Sequence, residues 1–407
     1  MLNRRHLLCC GAAAGLFTAL AEPARAFPAT ACPSGLPASL QPLVQQAFEG
    51  LDPHQLWDVH THLLGTGDAG SGCTVNAQLD QWWHPVEMLR KRFILKAACV
   101  PPDAPSVDRA YVQRLRALAD EFPVGARWML FAFDHACDAR GQPVPAHTTF
   151  HVPDAYAAAV AGRHADRFAW VASIHPYRPD ALARLDAALA QGAVALKWLP
   201  SSMAIDLREP RLHAFYDRLA AARLPVIVHC GEERAVPGAG REDLGNPLMV
   251  RAALERGVRV VVAHCASLGT ALDLDARRPR EVQAFSLFAR LMDEGWGEQL
   301  MGDISVVLQT NRRPEVARTL LMRDDWHPRL LHGSDYPLPG LAATLRLPAL
   351  VRAGLLHAAD AAPLATLREH NPLLFDLVLK RRVAWRGAVL SASAFATRRH
   401  FERPAVS

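Results

Sequence analysis

Asp58-Val59-His60-Thr61-His62 closes the first strand-like apolar run of this 407-residue chain, at 55–62, and its reading decides the fold. Side chains alternate along a strand with a period of two, so His60 and His62 are expected on one side of it, facing one cavity. Working outward, short apolar and β-branched runs recur at 93–100, 127–133, 168–174, 193–199, 225–229, 258–264, 301–306 and 329–335. Ala/Leu/Arg-rich stretches of helical period separate them at 108–121, 153–164, 179–191, 210–223, 247–256 and 314–322, several opening on proline, which a first helical turn tolerates. Such βαβα alternation predicts an α/β fold, a parallel (β/α)8 TIM-like barrel. Nine candidate strands compete for eight places, and 127–133 reads either as a barrel strand or as an accessory strand in an insertion.

The polar side chains that chemistry would use fall at the C-terminal ends of these runs, where a parallel α/β barrel carries its active site. Strand one ends in His60 and His62, and strand four carries Lys197 in Ala195-Leu196-Lys197-Trp198. Strand five ends at His229, strand six at His264, and strand eight runs into Gly333-Ser334-Asp335-Tyr336-Pro337. Alone, His229 or His264 reads equally as a core histidine, and one H-x-H in a chain with 18 His carries little weight. Together, costly polar groups that end apolar strands and converge on one cavity need a common cause, and a metal site supplies it. Trp198, next to Lys197, is expected to alternate outward into the helix layer. For substrate contacts the candidates are His175, in His175-Pro176-Tyr177-Arg178, whose alternative is packing against Tyr177, and Glu232, in the Glu232-Glu233-Arg234 stretch after His229. Arg208 and Arg241 would equally hold a carboxylate.

Composition narrows the classes. With 45 Lys+Arg against 40 Asp+Glu, a net charge of +5 and no basic run interleaved with aromatics, the footprint of a nucleic-acid-binding protein is missing. The first 26 residues, with Arg4-Arg5, an apolar stretch to Ala21 and Ala24-Arg25-Ala26, read as a twin-arginine-like signal peptide, an ordinary secretory signal being the alternative, so an exported, periplasmic protein is expected. No later stretch offers about 18 consecutive apolar residues, so no membrane span is expected. Residues 27–50 read as a lead-in, 51–382 as the working domain, 101–153 as an insertion that sets specificity or forms a homo-oligomer, and 383–407 as a tail. Beyond the leader, Cys32, Cys73, Cys99, Cys137, Cys230 and Cys265 show no C-x-x-C spacing; Cys99, Cys230 and Cys265 read as reduced, buried thiols, and no essential disulfide framework is expected.

The set His60-x-His62, Lys197, His229, His264 and Asp335 resembles the amidohydrolase superfamily over most of the chain. Residues 333–337, Gly302-Asp303-Ile304-Ser305 on strand seven and Asn371-Pro372 before a Leu/Phe-rich helix are more similar to its amidohydrolase-related branch. That branch also contains decarboxylases resembling aminocarboxymuconate semialdehyde decarboxylase. The resemblance implies a metal-dependent hydrolase of a small-molecule amide, lactone or ester, with a metal-dependent decarboxylase or a non-catalytic exported metal-binding protein as alternatives. It implies His60, His62 and Asp335 as ligands of a catalytic metal. His229 and His264 would bind a second metal or assist a mononuclear site, and a carbamylated Lys197 would bridge two ions. Imidazoles and a carboxylate suit Zn²⁺, and also Mn²⁺, Ni²⁺ or Fe²⁺, in one or two copies. An ammonium cannot bind a cation, so Lys197 would serve only as a carbamate, which burial favours by freeing its amine. In hydrolysis Asp335 would carry a water proton to the leaving group, with His264 activating water or stabilising the carbonyl.

Overall fold

The computed structural model describes residues 32, 33, 35–101 and 103–402; the expected leader at 1–26 lies outside them. Eight apolar segments become strands: Trp57–His62 (β1), Arg127–Phe131 (β2), Phe168–Ala172 (β3), Ala195–Trp198 (β4), Val226–His229 (β5), Val260–Ala263 (β6), Leu300–Asp303 (β7) and Leu330–Leu331 (β8). They pair in that order, each parallel to the next. Val59 N–H donates to His332 O at 3.0 Å and His62 N–H to Tyr336 O at 3.0 Å, which returns the β8 end to β1. The architecture is the parallel (β/α)8 barrel that the alternation predicts.

Alternation along the strands sorts the buried apolar residues into two sets. One from each side of the pleat, Trp57, Val59, Met129, Phe131, Ala169, Val171, Ala195, Ile227, Val261, Ala263, Met301 and Leu331, fills the barrel interior. The other, with Trp128, Leu130, Phe168, Trp170, Leu196, Trp198, Val226 and Val262, faces the helix layer. Trp198 is fully buried there, its indole N–H donating to Ile174 O at 2.8 Å.

Several expectations are corrected. The run at 93–100 is no strand, because the helix Pro85–Ala97 occupies most of it. Pro85 starts that helix, and a short apolar run alone does not separate helix from strand. The stretch 101–153 is not a single insertion, since it holds the helix Val107–Asp120 and the barrel strand β2. Only its later part leaves the barrel, pairing Phe150–His151 with Thr74–Val75. Within the lead-in, Gln41–Phe48 is helical and Leu40, Val44 and Ala47 are buried in the core. The stretch after 382 is not a loose tail, because its last described turns seal the barrel end opposite the strand C-termini. Thr397 Oγ1 accepts from Trp57 N–H at 2.9 Å and donates to Trp57 O at 2.5 Å, and Phe401 is buried in the interior set. Cys99 is a disulfide cysteine and not a reduced thiol, as is Cys32; Cys73, Cys137, Cys230 and Cys265 are free and buried. Among the described residues no helix is long and apolar enough to cross a membrane.

Candidate active site

Val59 already faces the barrel interior, so strict alternation would send His60 outward. A register shift between Asp58 and Thr61 relative to β2 breaks the alternation, and such a bulge re-aims the side chains that follow it. Asp58 supports the distortion: its Oδ1 accepts from His60 N–H at 3.1 Å and from Ser334 N–H at 2.8 Å. A Cβ on Gly333 would lie 2.8 Å from His60 Cβ, so the strand beside the bulge must carry glycine there. His264 meets the same problem one residue past the inward Ala263. There the chain takes a left-handed turn, with φ 54° at His264, 50° at Cys265 and 48° at Ala266, and the imidazole swings into the mouth. Lys197, His229 and Asp303 need no such device, because each follows the inward parity of its strand.

The geometry that results is tight. His62 Nε2 lies 2.8 Å and His60 Nε2 3.4 Å from the same Asp335 Oδ1. The His60 and His264 rings stack at 4.6 Å, and His229 meets His264 edge-on at 5.1 Å. Two triads, His60/His62/Asp335 and His60/His264/Asp303, each offer three ligand atoms within 4.8 Å of one another. In the second triad Asp303 acts from behind. Its Oδ2 takes the Nδ1 proton of His60 at 2.9 Å, and its Oδ1 takes a short hydrogen bond from Ser305 Oγ, which in turn accepts from His264 Nδ1 at 2.7 Å. One carboxylate thereby fixes both tautomers and leaves both Nε2 atoms as acceptors. Burial, then the neighbouring charges, holds His60 well below its ordinary range, and His264 likewise by burial first, so both imidazoles are neutral.

Lys197 Nζ and His229 Nε2 are buried and without a hydrogen-bond partner among the described residues. Burial pulls the Lys197 amine down to about 8, against the attraction of Asp303, Asp335 and Glu233. Neutral imidazoles, carboxylates and two buried nitrogens without hydrogen-bond partners among the described residues, all in one cavity, fit a divalent cation, since buried polar groups need a counterpart to offset their desolvation. Arg312 approaches the same mouth. It donates to Ser267 Oγ at 3.0 Å, and burial pulls its guanidinium down to about 10 despite Asp335 and Glu233.

The structure gathers His60, His62, Lys197, His229, His264 and Asp335, and does not bring His175 or Glu232 to them. His175 spends both nitrogens inside the fold, Nε2 on Met203 O at 2.8 Å and Nδ1 accepting from Tyr177 N–H at 3.2 Å. Glu232 pairs with Arg234 in solvent, whereas Glu233, with 7% of its side chain exposed, turns back to within 3.3 Å of His229 Nε2. Arg208 and Arg241 are paired with Asp206 and Asp243. Sequence reasoning takes Asp303 only as part of the Gly302-Asp303-Ile304-Ser305 resemblance and gives it no role at the site, although it ends the apolar Leu300-Met301-Gly302 and so carries the signal that marked its neighbours.

A family model described as Amidohydrolase matches residues 57–374, which takes in every one of these residues. The chain belongs to the amidohydrolase family. No curated protein matches this amidohydrolase. Among solved structures it is similar to an uncharacterized TIM-barrel protein from Bordetella bronchiseptica, at 18% identity and TM-score 0.43, over 70% of this chain and 87% of that one. It is similar to an IDCase from Metarhizium anisopliae at 14% identity and TM-score 0.42, over 88% and 99% of the two chains. A 5-carboxyvanillate decarboxylase from Sphingomonas paucimobilis matches at 11% identity and TM-score 0.41, over 73% and 91%. None of these likenesses assigns a reaction to this amidohydrolase. Family membership and the His/Asp clusters together support metal-dependent catalysis on a small molecule.

Proposed function

We propose that this amidohydrolase is a metal-dependent hydrolase that cleaves an amide, lactone or ester bond of a small molecule, in the amidohydrolase-related branch of the superfamily. One observation carries the reading: two imidazoles share a single oxygen of Asp335 at the barrel mouth, beside a buried amine and a buried imidazole nitrogen that have no hydrogen-bond partner among the described residues. In this reading His60, His62 and Asp335 hold a divalent cation, most simply Zn²⁺. His229 and His264 border a second position, and the Lys197 amine, brought down to about 8, is available for carbamylation. A cation there supplies Lewis acidity to a carbonyl and makes water nucleophilic near neutral pH. Asp303 and Ser305 keep the ring nitrogens of His60 and His264 aimed at that cavity. Asp335, at the mouth, takes the proton from the attacking water at Oδ and returns it to the leaving atom, as acid–base catalysis of acyl transfer requires. The Arg4-Arg5 leader supports export to the periplasm.

The test pairs elemental analysis of the purified protein with a panel of lactones, esters and amides, assayed before and after verified metal removal and after metal return. Hydrolysis that disappears with the metal and returns with it supports the reading. Hydrolysis that survives complete removal overturns it, and release of CO₂ without uptake of water assigns a decarboxylase in its place.

A further inference from the structure

The carboxylate that closes on His229 has no part in the assignment above. We propose that Glu233 is a metal ligand that works with His229 on the β5 side of the mouth; the inference rests on the metal-dependent reading just given. The path of the chain makes it available. Gly231 takes φ +88°, and a Cβ there would meet Leu268 O at 2.6 Å, so only glycine allows the loop to fold back this closely. The fold-back sends Glu232 into solvent against Arg234 and returns Glu233 to the cavity. Glu233 Oε1 is anchored by the N–H groups of Ala235 at 2.6 Å and Val236 at 2.8 Å. Its Oε2 is left 3.3 Å from His229 Nε2, a nitrogen that is buried and makes no hydrogen bond among the described residues.

Glu233 Oε2 and His229 Nε2 pair by distance at 3.3 Å without forming a hydrogen bond, so with the imidazole proton on Nδ1 both atoms offer a lone pair to one shared cation. Two donors on a Zn²⁺-like ion, each about 2.0–2.2 Å from it, stand roughly 3.3 Å apart. Asp335 Oδ1 stands in the same relation to His60 Nε2, at 3.4 Å. Each side of the mouth therefore pairs an imidazole with an oxygen held in place by the backbone or by a second imidazole. Glu233 also brings negative charge next to the Lys197 amine, so a cation on this side gains an anionic ligand from the protein itself.

The experiment titrates chelator-stripped, full-length protein with Zn²⁺ and with Mn²⁺, following heat and bound metal, for the wild type and Glu233→Gln. Glutamine keeps an oxygen for the Ala235 and Val236 N–H groups but loses the charge, so the cation-free melting temperature is expected to hold. At least one bound equivalent is expected to weaken tenfold or more. Equal affinity and equal stoichiometry in the two proteins overturn the proposal and reduce Glu233 to an anchor of its own loop. Glu233→Asp, which keeps the charge and shortens the reach, supplies a second readout. Its Co²⁺ form is expected to differ from wild type in visible absorption, and an identical spectrum counts against the proposal. Cation binding that is lost in His60→Ala but indifferent to Glu233 keeps the metal-dependent reading and overturns this inference alone. A wild-type chain that binds no divalent cation overturns both.

Discussion

Asp303 holds His60 by its own oxygen and His264 through Ser305, so a single side chain sets which nitrogen of each ring faces the cavity. In Asp303→Asn one of those acceptors becomes an amide N–H₂, and the His60 proton is driven from Nδ1 to Nε2, the atom that faces Asp335. Metal affinity is expected to fall about 10–100-fold with the fold intact, read by titration of chelator-stripped protein beside its circular dichroism; unchanged affinity would show that Asp303 orients nothing. At this scale the sequence was readable where a polar residue sits at the C-terminal end of an apolar strand, as Lys197 and His229 do. It was unreadable where the residue sits in a loop with no period. Glu232 and Glu233 are neighbours of one type, and only the turn at Gly231 decides which of them faces inward. His175 carried a plausible chemistry until its two nitrogens found backbone partners.

Elements were legible in proportion to their length and regularity. The helix expected at 314–322 is Pro314–Met322, and the strand run at 127–133 takes the second barrel place. The reading at 93–100 failed because a basic, half-exposed helix beginning at Pro85 ends on the same few apolar residues that would make a buried strand. Two local irregularities, the β1 register shift and the left-handed turn at 264–266, deliver His60 and His264, and neither has a composition signal: the turn contains no glycine. Residues held at positive φ without glycine cost on the order of 1–3 kcal/mol each, and they persist where surrounding contacts enforce them. The C-terminal turns are the other element that composition concealed. Phe401 is 1% exposed at the sealed end of the barrel, among Trp57, Met129 and Met301. Phe401→Ala should cost about 3–5 kcal/mol of stability, measured by urea unfolding, because the space cannot collapse between strands of a closed sheet. A loss below about 1 kcal/mol would mean that the end of the chain only rests on the barrel.

For the whole molecule, the buried titratable groups divide into two opposed sets. Burial holds His135, His175 and His400 each near 4, so the unfolded chain takes up protons between about 6.5 and 4 that the folded one refuses. Their contribution is full above that window and is lost as pH falls through it. Asp58, raised to about 6, and Asp154 and Asp376, raised to about 7, all by burial first, work in the opposite direction over an overlapping range. His175 is fully buried, and its share at pH 5 is about 2 kcal/mol. The stability lost between pH 7.5 and pH 5 should therefore be smaller by roughly that amount in His175→Gln than in wild type, by urea unfolding at the two values. Equal losses would place the acid sensitivity elsewhere. The same sealed barrel also has a history in time. Trp57, the first residue of β1, bonds through its backbone N–H and C=O to the Thr397 hydroxyl, 340 positions later, and the rest of β1 leans on residues 332–336. During synthesis the leading strand therefore waits with one edge unpaired until most of the polypeptide has left the ribosome. An open edge is a template for pairing with other chains, so a message cut short before residues 332–336 leaves β1 with that edge exposed.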